Sequence, residues 1–130
     1  MKRSSVTAII LNSSEEVLLL KRHPHDRTLP DVYCLPGGKI DTDEFPLAAL
    51  KREVFEETKL EVVDHTFLCK GENEKFNILF FTVRVKNTSP VTISNEHESY
   101  AWIPLTEAFS RGDVPPATQK ALKELLLQIH

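Results

Sequence analysis

Gly38-Lys39-Ile40-Asp41-Thr42-Asp43-Glu44-Phe45-Pro46-Leu47-Ala48-Ala49-Leu50-Lys51-Arg52-Glu53-Val54-Phe55-Glu56-Glu57-Thr58-Lys59-Leu60 is the stretch that decides the fold. Its middle predicts a helix from Pro46 to about Thr58. At ~100° per residue, Leu47, Leu50 and Val54 fall within about 60° of one another and define a buried face. Glu53 and Glu57 lie beside that face and Glu56 further round. Glu53–Glu56, Glu53–Glu57 and Glu57–Glu61 are then like-charged neighbours, each costing ~0.2–0.5 kcal/mol in an isolated helix. No Lys or Arg stands three or four positions from Glu53 or Glu57, and only Arg52 can reach Glu56, in the less favourable order. Glu56 and Glu57 also sit at the negative end of the macrodipole, where cations are preferred.

Local rules broken together mark function. A hard divalent cation reverses both penalties: Mg²⁺ or Mn²⁺ takes oxygen ligands, and carboxylates on one helix supply them. No His lies in this helical cluster, which counts against zinc. Ahead of the helix, Pro36-Gly37-Gly38-Lys39 predicts a turn that lets backbone approach a ligand closely and that tolerates positive φ.

Outward from this segment, Val6 to Leu11 and the apolar run Val17 to Leu20 predict two strands about an Asn12–Glu16 turn, a hairpin entering a sheet. His23 to Asp31, with Pro24 and Pro30, is a loop. Tyr33-Cys34-Leu35 is a brief strand. Val62 to Lys70, Phe76 to Lys86 and Tyr100 to Ile103 are further strands, the second alternating at its end. Ala117 to Ile129 is an amphipathic helix, with Pro115-Pro116 at its entrance. Strands on both sides of a helix, with a terminal helix, imply an α/β fold: a mixed sheet covered by helices.

The chain has 130 residues, with 16 Lys plus Arg against 19 Asp plus Glu, a net charge of −3, so it is expected to bind neither nucleic acid nor an anionic membrane. No apolar run approaches the ~20 residues that span a bilayer, and Val6 to Leu11 is too short for a secretory signal. Cys34 and Cys69 fit neither a disulfide framework nor a CxxC zinc site, and read as buried free thiols in a reducing compartment. One cytoplasmic domain over residues 1–130 is expected, as a monomer or homodimer.

Taken together, Gly38-x5-Glu44-x7-Arg52-Glu53-Val54-Phe55-Glu56-Glu57-Thr58-Lys59-Leu60 resembles the Nudix box, G-x5-E-x7-R-E-U-x-E-E-x-G-U with U aliphatic. Residues 38–60 match at every constrained position except the last Gly, which is Lys59. The strands, the terminal helix and Trp102-Ile103-Pro104 extend a looser likeness to small MutT-like members over nearly the whole chain. The resemblance implies an α/β/α sandwich with a mixed central sheet, the box forming loop–helix–loop. Gly normally ends this helix in a left-handed conformation, so Lys59 costs ~1 kcal/mol in stability, partly recovered through the dipole.

The resemblance further implies Mg²⁺- or Mn²⁺-dependent hydrolysis of a nucleoside diphosphate linked to another moiety. Glu53, Glu56, Glu57 and the Gly38 carbonyl would hold the ions, while Glu44 and Arg52 stabilise the loop and orient Glu53. The general base is Glu53 or Glu98, the latter lying just before the Trp102 strand. His97 reads as a surface residue. Lys39, Lys21 and Arg22 are candidates for phosphate contact. In MutT-like proteins a Pro-Pro-Ala-Asn segment reads an oxidised guanine; here it is Pro115-Pro116-Ala117-Thr118, and a Thr118 hydroxyl offers less than an amide. Tyr33, Phe76 and Trp102 could stack on a base. The expected substrate is a nucleoside triphosphate, cleaved to monophosphate and pyrophosphate. Cleavage of ADP-ribose or a dinucleoside polyphosphate is the enzymatic alternative, and a non-catalytic nucleotide-binding regulator the alternative of another class. An isomerase of isopentenyl diphosphate also uses this box, but the chain is short and lacks an evident Cys/Glu pair.

Overall fold

The computed structural model describes residues 2–25 and 31–129. The expected His23–Asp31 loop therefore falls partly outside the described residues. Strand β1 (Arg3–Ile10) lies inside a four-stranded sheet, in the order β4-β1-β6-β5. It pairs in parallel with β6 (Phe76–Val85), Arg3 opposite Phe76 and Ile10 opposite Val83. On its other side it pairs antiparallel with the short β4 (Gly37–Lys39). Strand β5 (Val62–Glu72) closes the sheet antiparallel to β6. A second sheet has the order β3-β2-β7, from β3 (Tyr33–Cys34), β2 (Glu16–Arg22) and β7 (His97–Pro104).

The alternation of side chains along β1 sorts the core into two layers. Val6, Ala8 and Ile10 pack on one face with Ala49, Leu50 and Val54 of helix α1 (Pro46–Thr58). Ile9 packs on the opposite face with Ala121, Leu122 and Leu125 of helix α3 (Pro116–Ile129). The result is the expected α/β/α sandwich with a mixed sheet. A four-residue helix α2 (Leu105–Ala108), which hydropathy patterning does not signal, adds Leu105 and Ala108 to the second layer.

The hairpin expectation is corrected. Asn12 makes the turn, its Oδ1 accepting the backbone N–H groups of Ser14 and Glu16 at 3.0 Å. Yet β1 and β2 share only the bridge Leu11–Val17 and then diverge into different sheets. The continuous apolar run Val17–Leu20 is the cause: all four side chains are buried, Val17 and Leu19 in one layer, Leu18 and Leu20 in the other. A strand buried on both faces has no wet face to give a simple hairpin.

Helix α1 has the predicted bounds, but its buried set is different. Leu47 is 38% exposed, although its angle is right, because it stands in the first turn. Glu57, three residues beyond Val54, is buried instead. The Pro36-Gly37-Gly38 turn is also corrected: Gly37 and Gly38 lie in strand β4, and none of the four glycines has positive φ. Close approach is what requires them. A Cβ on Gly37 would lie 2.3 Å from the Val6 carbonyl oxygen, and one on Gly38 would lie 2.5 Å from the Glu53 carboxyl carbon.

Lys59 ends the helix as expected, in the left-handed region with φ 62°, its N–H donated to the Phe55 carbonyl at 2.9 Å. Its ammonium lies 5.0 Å from the centre of the Phe55 ring. Backbone strain there costs ~1 kcal/mol, and an exposed cation–π contact returns about 0.5 kcal/mol. Lys59→Gly is therefore expected to raise the denaturation midpoint, by about 0.5 kcal/mol in unfolding free energy. An unchanged or lower midpoint would mean that the ring contact and the unfolded-state entropy of Gly outweigh the strain.

Candidate active site

The site is built around the guanidinium of Arg52. Its Nε and Nη2 donate to the two oxygens of Glu44 at 2.8 and 2.9 Å, a forked pair. Its Nη1 donates to Glu53 Oε1 at 2.8 Å and to Glu56 Oε1 at 3.2 Å. Its Nη2 also donates to the Lys39 carbonyl at 3.2 Å. One side chain thus ties the loop after β4 to the helix. Glu44 fastens the loop on itself by accepting the Asp41 N–H at 3.0 Å. The bonds from Arg52 hold the Glu44 carboxyl down to about 2, and the Glu44 carboxylate in turn raises the pKa of Arg52.

Arg52 thereby relieves the carboxylate repulsion of the helix differently from what helical spacing suggests. Glu53 is adjacent to Arg52 in sequence, not three or four residues away, and the long side chain folds back along the helix to meet it. The Glu53 carboxylate occupies the volume that a Cβ on Gly38 would fill. Burial nevertheless pushes its pKa up, against the hydrogen bond and charge of Arg52.

Glu57 faces the other way. Its Oε1 accepts the Gly37 N–H at 2.8 Å. Burial, reinforced by the charges of Glu53 and Glu96, pushes it up to about 8, while the Gly37 bond and the charge of Arg22 oppose the rise. Its neighbours come from the far side of the chain. The segment before β7 is docked on the end of α1, the Thr92 N–H donating to the Thr58 carbonyl at 3.0 Å. A turn follows, with the His97 N–H on the Ser94 carbonyl at 3.3 Å. Ligand atoms of Glu57, Glu96 and His97 then lie within 4.8 Å of one another.

This arrangement redistributes the expected residues. Of Glu53, Glu56 and Glu57, only Glu57 stands in the tight group, while Glu53 and Glu56 are drawn to Arg52. Glu98 is exposed and turned to Lys21, 3.6 Å away, whereas Glu96, which sequence reading passed over, faces the acids. His97 is only 5% exposed, which corrects its reading as a surface residue. Arg22, at the end of β2, acts on Glu57 electrostatically. Lys39 is exposed beside the acids, its carbonyl engaged by Arg52.

Thr118 is buried in the α3 layer with Ala121, Leu122 and Leu125, so its hydroxyl is not displayed on an open surface. Trp102 and Phe76 are half-buried against the core, and Tyr33 lies under the Arg111 guanidinium. A separate cleft of about 400 Å³ runs between β5 and α3, floored by Gly71, Phe80 and Ala117. Cys34 and Cys69 are half-buried rather than fully buried; burial raises the Cys69 thiol, with Glu124 adding to it.

The chemistry of the donor set suits a divalent cation: carboxylates crowd a partly desolvated site, and burial disfavours their charge until a cation enters. In metal-free protein, the folded state holds a proton on Glu57 that the unfolded chain releases near its ordinary value of 4.5. The stability contributed by that proton is thus fully present at pH below about 4.5 and falls by up to ~1.4 kcal/mol per pH unit as pH rises towards about 8. Denaturant melts in chelator should show this decline, and Glu57→Gln should flatten it. A wild-type profile that is already flat would remove the buried acid as its source.

Comparison with known proteins agrees with this geometry. Residues 1–125 match the NUDIX domain. The chain is 31% identical over 97 residues to an 8-oxo-dGTP diphosphatase of Haemophilus influenzae, covering 73% of this chain and 71% of that one. Its fold superposes on the MutT protein from Methanosarcina mazei Go1 with a TM-score of 0.85 and 27% identity, over 98% of this chain and 95% of the other. The E. coli ORF135 protein has the same fold, with a TM-score of 0.78 and 24% identity over 99% and 92% of the chains. An acid-rich helix clamped to its loop by one arginine, on this sandwich and with these relatives, makes the chain a member of the Nudix family and a MutT-like Nudix hydrolase.

Proposed function

We propose that the protein hydrolyses the pyrophosphate linkage of a nucleoside triphosphate, releasing nucleoside monophosphate and pyrophosphate, with Mg²⁺ or Mn²⁺ held by Glu53, Glu56, Glu57, Glu96 and the Gly38 carbonyl. The observation that carries this reading is the placement of the Glu53 carboxylate directly over Gly38, fixed by the Arg52–Glu44 fork. A divalent ion held by these residues would supply the positive charge that phosphoryl transfer needs to neutralise phosphate oxygens. The residues of the chain do the rest. Arg52 and Glu44 position Glu53. Glu53, whose pKa is raised by burial, takes the proton of the attacking water, a task for which Glu98 is turned away. Lys39 and Arg22 flank the acids and bind phosphate oxygens.

The relative from Haemophilus influenzae supports the triphosphate class. Buried Thr118 speaks against amide-type reading of an oxidised guanine from that position.

A panel of nucleoside triphosphates, 8-oxo-dGTP, ADP-ribose and dinucleoside polyphosphates, assayed with Mg²⁺ and with Mn²⁺, tests the substrate class. Monophosphate and pyrophosphate from a triphosphate are expected. Turnover confined to ADP-ribose or the dinucleotides would replace the reading with its enzymatic alternative, and tight binding without products would favour a regulator. Separately, Glu57→Gln should lower kcat at least 100-fold, about 2.7 kcal/mol, with the fold intact. Wild-type turnover in that variant excludes Glu57 from the reaction.

A further inference from the structure

We propose that His97 gives the acid cluster a nitrogen ligand, so that the site binds borderline divalent ions such as Mn²⁺, Co²⁺ or Zn²⁺ through an imidazole as well as carboxylates. This rests on the reading of the cluster as a divalent-cation site, and deepens it. The three donors come from two parts of the fold: Glu57 from the end of α1, and the adjacent Glu96 and His97 from the turn that opens β7. Their ligand atoms already lie within 4.8 Å of one another. An ion with bonds of roughly 2.0–2.2 Å spaces its donors by about 3–4 Å, so small side-chain movements suffice to close the set. The donors are two oxygens and a nitrogen. An imidazole suits zinc and the later first-row metals, whereas Mg²⁺ prefers an all-oxygen shell.

Cys34 prepares the imidazole for this role. Its Sγ donates to the Leu20 carbonyl at 3.5 Å and lies 3.6 Å from His97 Nε2. With the thiol proton directed at Leu20, the hydrogen on Nε2 points to the sulfur, and the lone pair of the neutral ring is left on Nδ1. The partner of one ring nitrogen thus selects the other as metal ligand. Cys34 is a positioning residue, seated on strand β3 opposite Leu20 of β2.

The test uses Mn²⁺ with the full chain. Loss of the free-ion electron paramagnetic resonance signal reports binding to the carboxylates, and electron spin-echo modulation from ¹⁴N reports a directly bound nitrogen. The wild type should show both. Replacing His23, whose Nε2 contacts the Asn95 carbonyl at 3.0 Å, with Gln should leave the modulation unchanged. His97→Gln should still bind Mn²⁺, at least tenfold more weakly, and lose the modulation. Cys34→Ala should weaken Mn²⁺ binding about tenfold, with recovery in Cys34→Ser. Should His97→Gln fail to fold, ¹⁵N-histidine labelling of the wild type must replace the ¹⁴N signal by one from ¹⁵N. Bound Mn²⁺ without nitrogen modulation, or modulation that survives His97→Gln, overturns the nitrogen ligand and leaves the carboxylate site standing. Absence of any Mn²⁺ binding overturns both.

Discussion

The forked pair between Arg52 and Glu44 is the constraint on which the site depends. It fixes the guanidinium that ties the loop to the helix, through the Lys39 carbonyl and the Asp41 carboxylate as well as Glu44, and that stands as the cation between Glu53 and Glu56. A planar guanidinium can serve three carboxylates and a carbonyl at once, because its donors point in fixed directions in one plane. A lysine, with one strongly hydrated ammonium, cannot hold that geometry. The clamp also divides labour among the acids. Glu44 is kept ionised by a permanent cation and Glu53 and Glu56 are held in place by it, while Glu57, on the far side, is left to burial and to its neighbours.

Burial and charge therefore oppose each other across a few ångströms. Glu44 sits well below the ordinary carboxylate range and Glu57 well above it, although both belong to one short segment. The difference follows from environment alone: a forked arginine in one case, a desolvated pocket with acidic neighbours in the other. Separated acidities within one site are what proton transfer and cation capture require.

Much of this was legible in the sequence, and the rest was not for identifiable reasons. The bounds of α1 followed from Pro46 and from periodicity, and the left-handed end at Lys59 followed from the place where glycine normally stands. The acid helix was legible because it violates ordinary charge rules. The places of Glu96 and His97 were not, because they are set by long-range contacts with no local signature, the docking of Thr92 on Thr58 and the pairing of His97 with Arg22. Glu96 and Glu98 have the same alternation parity, so pattern could not separate them; the turn at Ser94–His97 does. The burial of Thr118 had a signal in the sequence, since it lies three, four and seven residues before Ala121, Leu122 and Leu125 on one helical stripe.

The parallel ladder between β1 and β6 sets an order of events when the chain acquires its shape. Arg3 must wait for Phe76, so the strand that serves both hydrophobic layers is completed only after more than half the polypeptide has been made. Until then β1 has only the few residues of β4 to pair with, and the helix bearing the acids has half a platform to rest on. Hydrolytic competence is consequently a late acquisition, arriving with a strand that contributes no acid to the chemistry.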